Sequence, residues 1–177
     1  LAPRHTMNVI SVSYKGKNNL STIRGERSCI FKIESLACQM GRIINEKDEK
    51  ERRKVVVIGQ TVKDEFFGNE NPIGKYMTIN DVRFQVVGVV KFEGESRRLQ
   101  EADEVLFIPL ATTLQLFGDG KHFDIFACTV DGKTEMSQVE DEIRAIIKAR
   151  HKVSPDDDQA IGCFNLEKQY RKITGLF

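Results

Sequence analysis

The side chains best suited to chemistry in this 177-residue chain are three histidines, a run of three aspartates, a basic pair and four cysteines. His5, His122 and His151 have no serine, cysteine or carboxylate at a spacing that sets up a nucleophile and its base, so surface or edge positions are expected for them. Asp156, Asp157 and Asp158 with His151 offer ligands for a cation. Three consecutive carboxylates do not converge as the alternating ligands of a calcium loop do, and the run reads as a solvated loop. Val55-Val56-Val57-Ile58-Gly59 before a helix is a phosphate-site lookalike with a single glycine, where dinucleotide and phosphate loops need several at fixed spacing. A plain strand-to-helix turn is expected there. Arg97-Arg98 could grip an anion or a partner carboxylate and is the one candidate partner contact. Cys29, Cys38, Cys128 and Cys163 lack the spacings of metal or redox motifs, and each lies in an apolar stretch. They read either as four buried free thiols or as including at least one disulfide. No catalytic, cofactor or metal-ligating residue is expected.

Composition narrows the partners. The 27 Lys plus Arg against 26 Asp plus Glu leave almost no long-range field to draw in nucleic acid or anionic lipid. Runs such as VVVIG and VLFIPL are far shorter than the ~18 to 20 apolar residues that cross a bilayer. With no initial methionine and no leader pattern, the chain reads as a soluble segment of a longer protein.

The elements that would hold these side chains are clearest from Lys54 to Val90. The β-branched run 55–58 predicts a strand buried on both faces, and Val62, Phe66 and Phe67 predict a short helix with Thr61 as its cap and Gly68 at its end. Asn71, Pro72 and Gly74 form a turn. Alternation over 76–80 and 82–88 around Asn80-Asp81 predicts a hairpin. Upstream, residues 8–14 and 20–24 read as two paired strands around Gly16, and Cys29 to Met40, whose composition also allows a strand, as a helix ended by Gly41. The charge run 46–54 reads as an exposed, solvated loop.

Downstream, 92–103 reads as a loop, 104–110 as a buried strand and 111–117 as a short helix, with Gly118-Asp119-Gly120 as a subdomain boundary. Residues 123–130 predict a strand, and 134–150 a long helix capped by Thr134 with an apolar stripe of Met136, Val139, Ile143, Ile146 and Ile147. A strand over 159–164 and a helix over 166–177 complete the prediction.

In sequence order, Gly41-Arg42 with Asp48, VVVIGQTVKDEFFG, NPIGKYMTINDVRFQVVGVV, the acids before VLFIPL, and Arg150-His151 with the downstream aspartates resemble the extracytoplasmic, periplasmic core domain of MacB-type ABC transporter permeases. The resemblance implies an α+β fold of two subdomains. Residues 1–42 and 119–177 would form a membrane-proximal, porter-like subdomain with βαβ character, and 43–118 an inserted β-rich outer subdomain with short helices. It implies a noncatalytic domain outside the bacterial inner membrane that couples ATP-driven transmembrane motion to export of macrolides, peptides or toxins, or to a periplasmic partner. The implied partners are a cytoplasmic ATP-binding subunit or domain, a second permease copy, and a periplasmic adaptor with an outer-membrane channel. A lipoprotein-release or cell-division and sensing permease-like domain is the alternative, and a stand-alone nucleotide-binding enzyme a distant one.

Overall fold

A computed structural model describes residues 2–93, 101–118, 123–131, 134–165 and 167. The chain divides into two compact units, Leu1–Cys128 and Thr129–Phe177.

The first unit contains β1 (Ala2–Tyr14), β2 (Lys17–Glu26), α1 (Cys29–Ile33), β3 (Leu36–Gly41), α2 (Glu46–Lys50), β4 (Val55–Gly59) and α3 (Gln60–Phe67). There follow β5 (Tyr76–Ile79), β6 (Val82–Phe92), a 3-10 turn (Glu101–Glu104), β7 (Val105–Pro109), α4 (Leu110–Leu116) and β8 (Ile125–Ala127). Pairing runs β1 to β2, β2 to β7, β7 to β4, β4 to β6, β6 to β5 and β5 back to β1, so these strands close into a ring. Two junctions are short: Val12↔Ile79 and Ser13↔Thr78 join β1 to β5, and Val57↔Phe107 and Ile58↔Leu106 join β4 to β7. β3 pairs with the far half of β6, and β8 with the first residues of β1.

Closure explains the sequence pattern. Val56, Ile58, Leu106, Ile108, Phe84 and Val86 share one core with Val12, Ile23 and Phe66, whereas Val57, Val105 and Phe107 pack with Ile30, Phe31, Leu36 and Ile44 in a second. β4 and β7 separate two cores, so neither face can carry a polar residue. The hairpin turn is as expected: Asn80 and Asp81 both have positive φ, 45° and 65°, as a two-residue turn between twisted strands demands.

Several local expectations are corrected. α3 starts one residue earlier than its proposed cap, with Gly59 at the N-cap and no side-chain bond from Thr61. The helix expected over 29–40 stops at Ile33, because Ser35 turns with φ 53° and Leu36–Gly41 extends to pair with β6. The charge run 46–54 is no plain loop. Asn45 and Asp48 exchange side-chain and backbone hydrogen bonds in a capping box that starts α2, and Asp48 is fully buried. The strand predicted over 123–130 is limited to Ile125–Ala127.

The second unit contains α5 (Met136–His151). Thr134 does not cap it. Its hydroxyl instead donates to Asp131 Oδ1 at 2.7 Å, and Glu167 Oε2 accepts from the Met136 N–H at 3.2 Å. Of the expected stripe Ile146 is 67% exposed, while the aliphatic stem of Lys148 is buried and its Nζ donates to Pro155 O at 2.7 Å. Residues 159–161 form a turn and bends and 162–164 have no regular structure, in place of the predicted strand. Asp157 Oδ1 accepts from the N–H groups of both Gln159 and Ala160 at 3.1 Å, a local turn that competes with an extended chain. Except for Glu167, the helix expected over 166–177 lies outside the described residues.

Candidate functional site

Arg97, Arg98 and His122 lie outside the described residues. His5 Nδ1 sits 3.2 Å from Asp124 Oδ2, His151 is the last residue of α5, and Asp158 meets Lys148 at 3.4 Å. Among the described residues no group of three or more His, Cys, Asp or Glu could hold a metal ion. At Gly59 a Cβ would stand 2.2 Å from Asp103 O, so backbone fills the space a phosphate would need. The four cysteines are free thiols; Cys29, Cys38 and Cys163 are exposed and Cys128 is half-buried, which corrects the expectation of burial.

Two ionic assemblies carry the polar interior of the first unit. The first joins Gly41-Arg42 to α2. Gly41 turns with φ 70°, the Arg42 N–H donates to Val87 O at 2.9 Å, and Arg42 O lies 2.1 Å from where a Cβ on Gly88 would be. Only glycine lets the two backbones cross this closely. The crossing aims the Arg42 guanidinium at Asp48, with Nη1 2.5 Å from Oδ2 and Nη2 3.1 Å from Oδ1. Arg53 adds a longer contact at 3.7 Å. Burial alone would raise the Asp48 carboxyl, but the Arg42 and Asn45 hydrogen bonds hold it below the usual carboxylate range. α2 then grips α4, since Glu49 accepts from the N–H groups of Leu110 (2.6 Å) and Ala111 (3.2 Å) and the Thr112 hydroxyl donates to Arg53 O at 3.1 Å.

The second assembly lies where β1 begins, β2 ends and α1 stops. Arg4 Nε donates to Glu26 Oε1 and Arg4 Nη2 to Glu34 Oε1, while Arg24 Nη1 reaches Glu34 Oε2 at 3.3 Å. Burial pushes Glu26 up to about 7 against the pull of Arg4. The same burial lowers Arg24, helped by the charge of Arg4. On Arg4 the lowering effect of burial is outweighed by its two carboxylate partners, and the guanidinium stands above its ordinary value. Arg4 and Arg24 reach the wall of a groove of about 460 Å³ that Asn19, Thr61, Glu65 and Glu104 also line. These assemblies hold strands and helices in fixed relation.

In the sequence Gly41-Arg42 and Asp48 mark the resemblance but do not report their contact, and Arg4, Glu26 and Glu34 carry no local signal. The signal for the first was the Asn45-to-Asp48 capping spacing. The second joins residues 22 and 30 positions apart, which no local pattern reports.

The profile of the MacB-like periplasmic core domain matches residues 1–146. The macrolide export ATP-binding/permease protein MacB of Wolinella succinogenes is 33% identical over 77% of the chain, and that of Bdellovibrio bacteriovorus 29% over 88%. The pyoverdine export ATP-binding/permease protein PvdT of Pseudomonas entomophila is 32% identical over 67%. The matched stretch spans 21%, 24% and 18% of those relatives' own lengths. The solved periplasmic region of MacB from Actinobacillus actinomycetemcomitans superposes with a TM-score of 0.77 at 22% identity, covering 98% of this chain and 74% of that one. The extracellular domain of the ABC-type transporter YknZ from Gram-positive bacteria gives 0.65 at 17% identity, over 86% and 76%. The α+β fold expected from the sequence is thus that of the MacB periplasmic region. The chain belongs to the family of MacB-like periplasmic core domains of ABC transporter permeases.

Proposed function

We propose that this chain is a noncatalytic, extracytoplasmic coupling domain of an ABC transporter permease in the bacterial inner membrane, carrying ATP-driven motion to export of cargo. The observation that carries the reading is the family match over residues 1–146. The ring of strands tied by Arg42–Asp48 and by Arg4–Glu26 supports it, because a transmitting part must move as a body. Its partners in this reading are a cytoplasmic ATP-binding subunit or domain, a second permease copy, and a periplasmic adaptor with an outer-membrane channel. Arg97 and Arg98 are proposed contacts for a partner carboxylate. The proposed arrangement keeps 1–42 with 119–177 next to the membrane and 43–118 as the outer insertion; the pairing of Ala2 with Ala127 supports placing β8 beside β1 within it.

The test uses the full-length gene product, expressed with an adaptor and channel in a strain stripped of its own macrolide exporters. Expected are reduced macrolide uptake and ATP hydrolysis, with export but not nucleotide binding lost when residues 43–118 are deleted. Hydrolysis without export of a macrolide, a peptide or a toxin would overturn the export reading. A full-length product without membrane spans would overturn the permease reading.

A further inference from the structure

Arg4, Arg24, Glu26 and Glu34 balance two charges against two, yet one oxygen stands idle. Glu26 is fully buried, its Oε1 accepts from Arg4, and its Oε2 finds no partner among the described residues. An anionic oxygen stripped of water and left unpaired is far more costly than the same oxygen in a neutral carboxyl. β1 contributes Arg4 and the neighbouring His5, which faces Asp124; β2 contributes Arg24; the end of α1 contributes Glu34; and Glu101 in the 3-10 turn acts on Arg24 through its charge. Across the sheet, β7 presents uncharged Pro109 opposite Glu26. Arg4 and Arg24 also line the groove, which gives water and protons a route to the cluster.

We propose that Glu26 is the proton-taking member of a buried switch: ionised, it clamps Arg4 to the end of β2, and on accepting one proton it leaves Arg4 to Glu34. The step transfers a single proton from solvent to the carboxylate and changes no other covalent bond. Arg4 passes the change on, because its carbonyl accepts the Asp124 N–H at 3.0 Å and it pairs with Ile125 of β8. The titration of Glu26 near 7 puts the change in the neutral range. The switch is a property of this fold and stands apart from the transport reading.

A carboxyl raised above its unfolded value binds its proton in the folded chain first, so the folding constant falls as pH rises between the two values. The fall approaches tenfold per pH unit and totals roughly a few hundred-fold for a rise of this size. Urea unfolding of the whole chain at pH values from 5 to 8.5 measures it, with Glu26→Gln expected to flatten the profile and His5→Gln expected to leave it. A wild-type profile that is flat, or a slope that survives in Glu26→Gln, would overturn the switch. Carbon-13 titration of the Glu26 carboxyl in the wild-type chain decides the matter if that variant does not fold. A midpoint within one unit of 7, with hydrogen exchange at the Asp124 and Ile125 amides changing at the same midpoint, supports the switch. A midpoint in the ordinary carboxylate range, or amides indifferent to it, overturns it.

Discussion

The Asp48 carboxylate is fully buried and accepts from both terminal nitrogens of Arg42, which the close crossing of Gly41-Arg42 over Gly88 aims at it. Asp48→Ala should therefore lose the pair, the capping box and the start of α2 together. Breaking a fully buried pair costs about 3 to 5 kcal/mol, and because Arg42 is partly open to water the expected loss here is about 2 to 3 kcal/mol. Equilibrium urea unfolding checks it. The pH dependence has a defined sign: a carboxyl held low contributes stability that is present above its unfolded value and lost as pH falls through its folded one. The acid limb of the stability profile should therefore shrink in Asp48→Ala relative to the wild type.

Gly88 makes a second prediction about the same crossing. A Cβ there would stand 2.1 Å from Arg42 O, and a backbone carbonyl held by a sheet cannot move aside as a flexible side chain can. Gly88→Ala should destabilise the chain by about 3 kcal/mol or more, at the upper end of overpacking costs. Gly16 gives the contrast. It has φ 82° with nothing within 4 Å of a Cβ, so Gly16→Ala should cost only the left-handed backbone strain of about 1 kcal/mol. Equal losses in the two variants would show that the close approach at Gly88 is not the limiting contact.

What was legible in the sequence was local. Residues 55–59, 60–67 and 76–92 each carry their own period and their own punctuation, and each formed nearly as expected. α2 escaped notice because its residues have no apolar period; it is held by a capping box and by contacts made 61 and 62 residues away, from Glu49 to α4. Over 36–41 the sequence allows helix or strand: Ile30, Ile33, Leu36 and Met40 match a helical repeat, while the strand β6 that extends 36–41 lies some fifty residues further on. Ring closure rests on pairings such as Val12↔Ile79 that no window contains. The Arg4–Glu26–Glu34 cluster was hidden for the same reason, and its residues looked like ordinary surface charges.

Glu49 tests the link between α2 and α4. Its two oxygens satisfy the first two N–H groups of α4, which has no side-chain cap of its own, and a carboxylate at a helix N-terminus also meets the favourable end of the dipole. Glu49→Ala should cost about 1 kcal/mol, the usual worth of a cap. Amide exchange at Leu110 and Ala111 should speed up while that of β6 stays unchanged. Uniform acceleration across the unit would mean that the residue supports the whole fold and not the one helix end.

Glu70 makes the last prediction, and it separates exposed electrostatics from the buried kind. Lys75 and Lys15 both donate to its carboxylate, the latter at 2.9 and 3.2 Å, and the Tyr14 hydroxyl donates at 3.2 Å, which fastens the β1–β2 turn to the segment after α3. The lysine hydrogen bonds, Lys75 first and Lys15 second, hold Glu70 down at about 2. Its contribution is therefore fully present above the ordinary carboxylate value and lost only as pH falls through the folded one. Carbon-13 titration should find the group still ionised at pH 3 in low salt. Because the lysines lie in water, 1 M salt, which shortens the screening length from about 10 Å to about 3 Å, should move the midpoint back toward the ordinary value. The midpoint of Glu26, which is fully buried, should move much less under the same salt. A Glu70 midpoint that ignores salt would mean that its lysine partners are far better sheltered than their exposure allows.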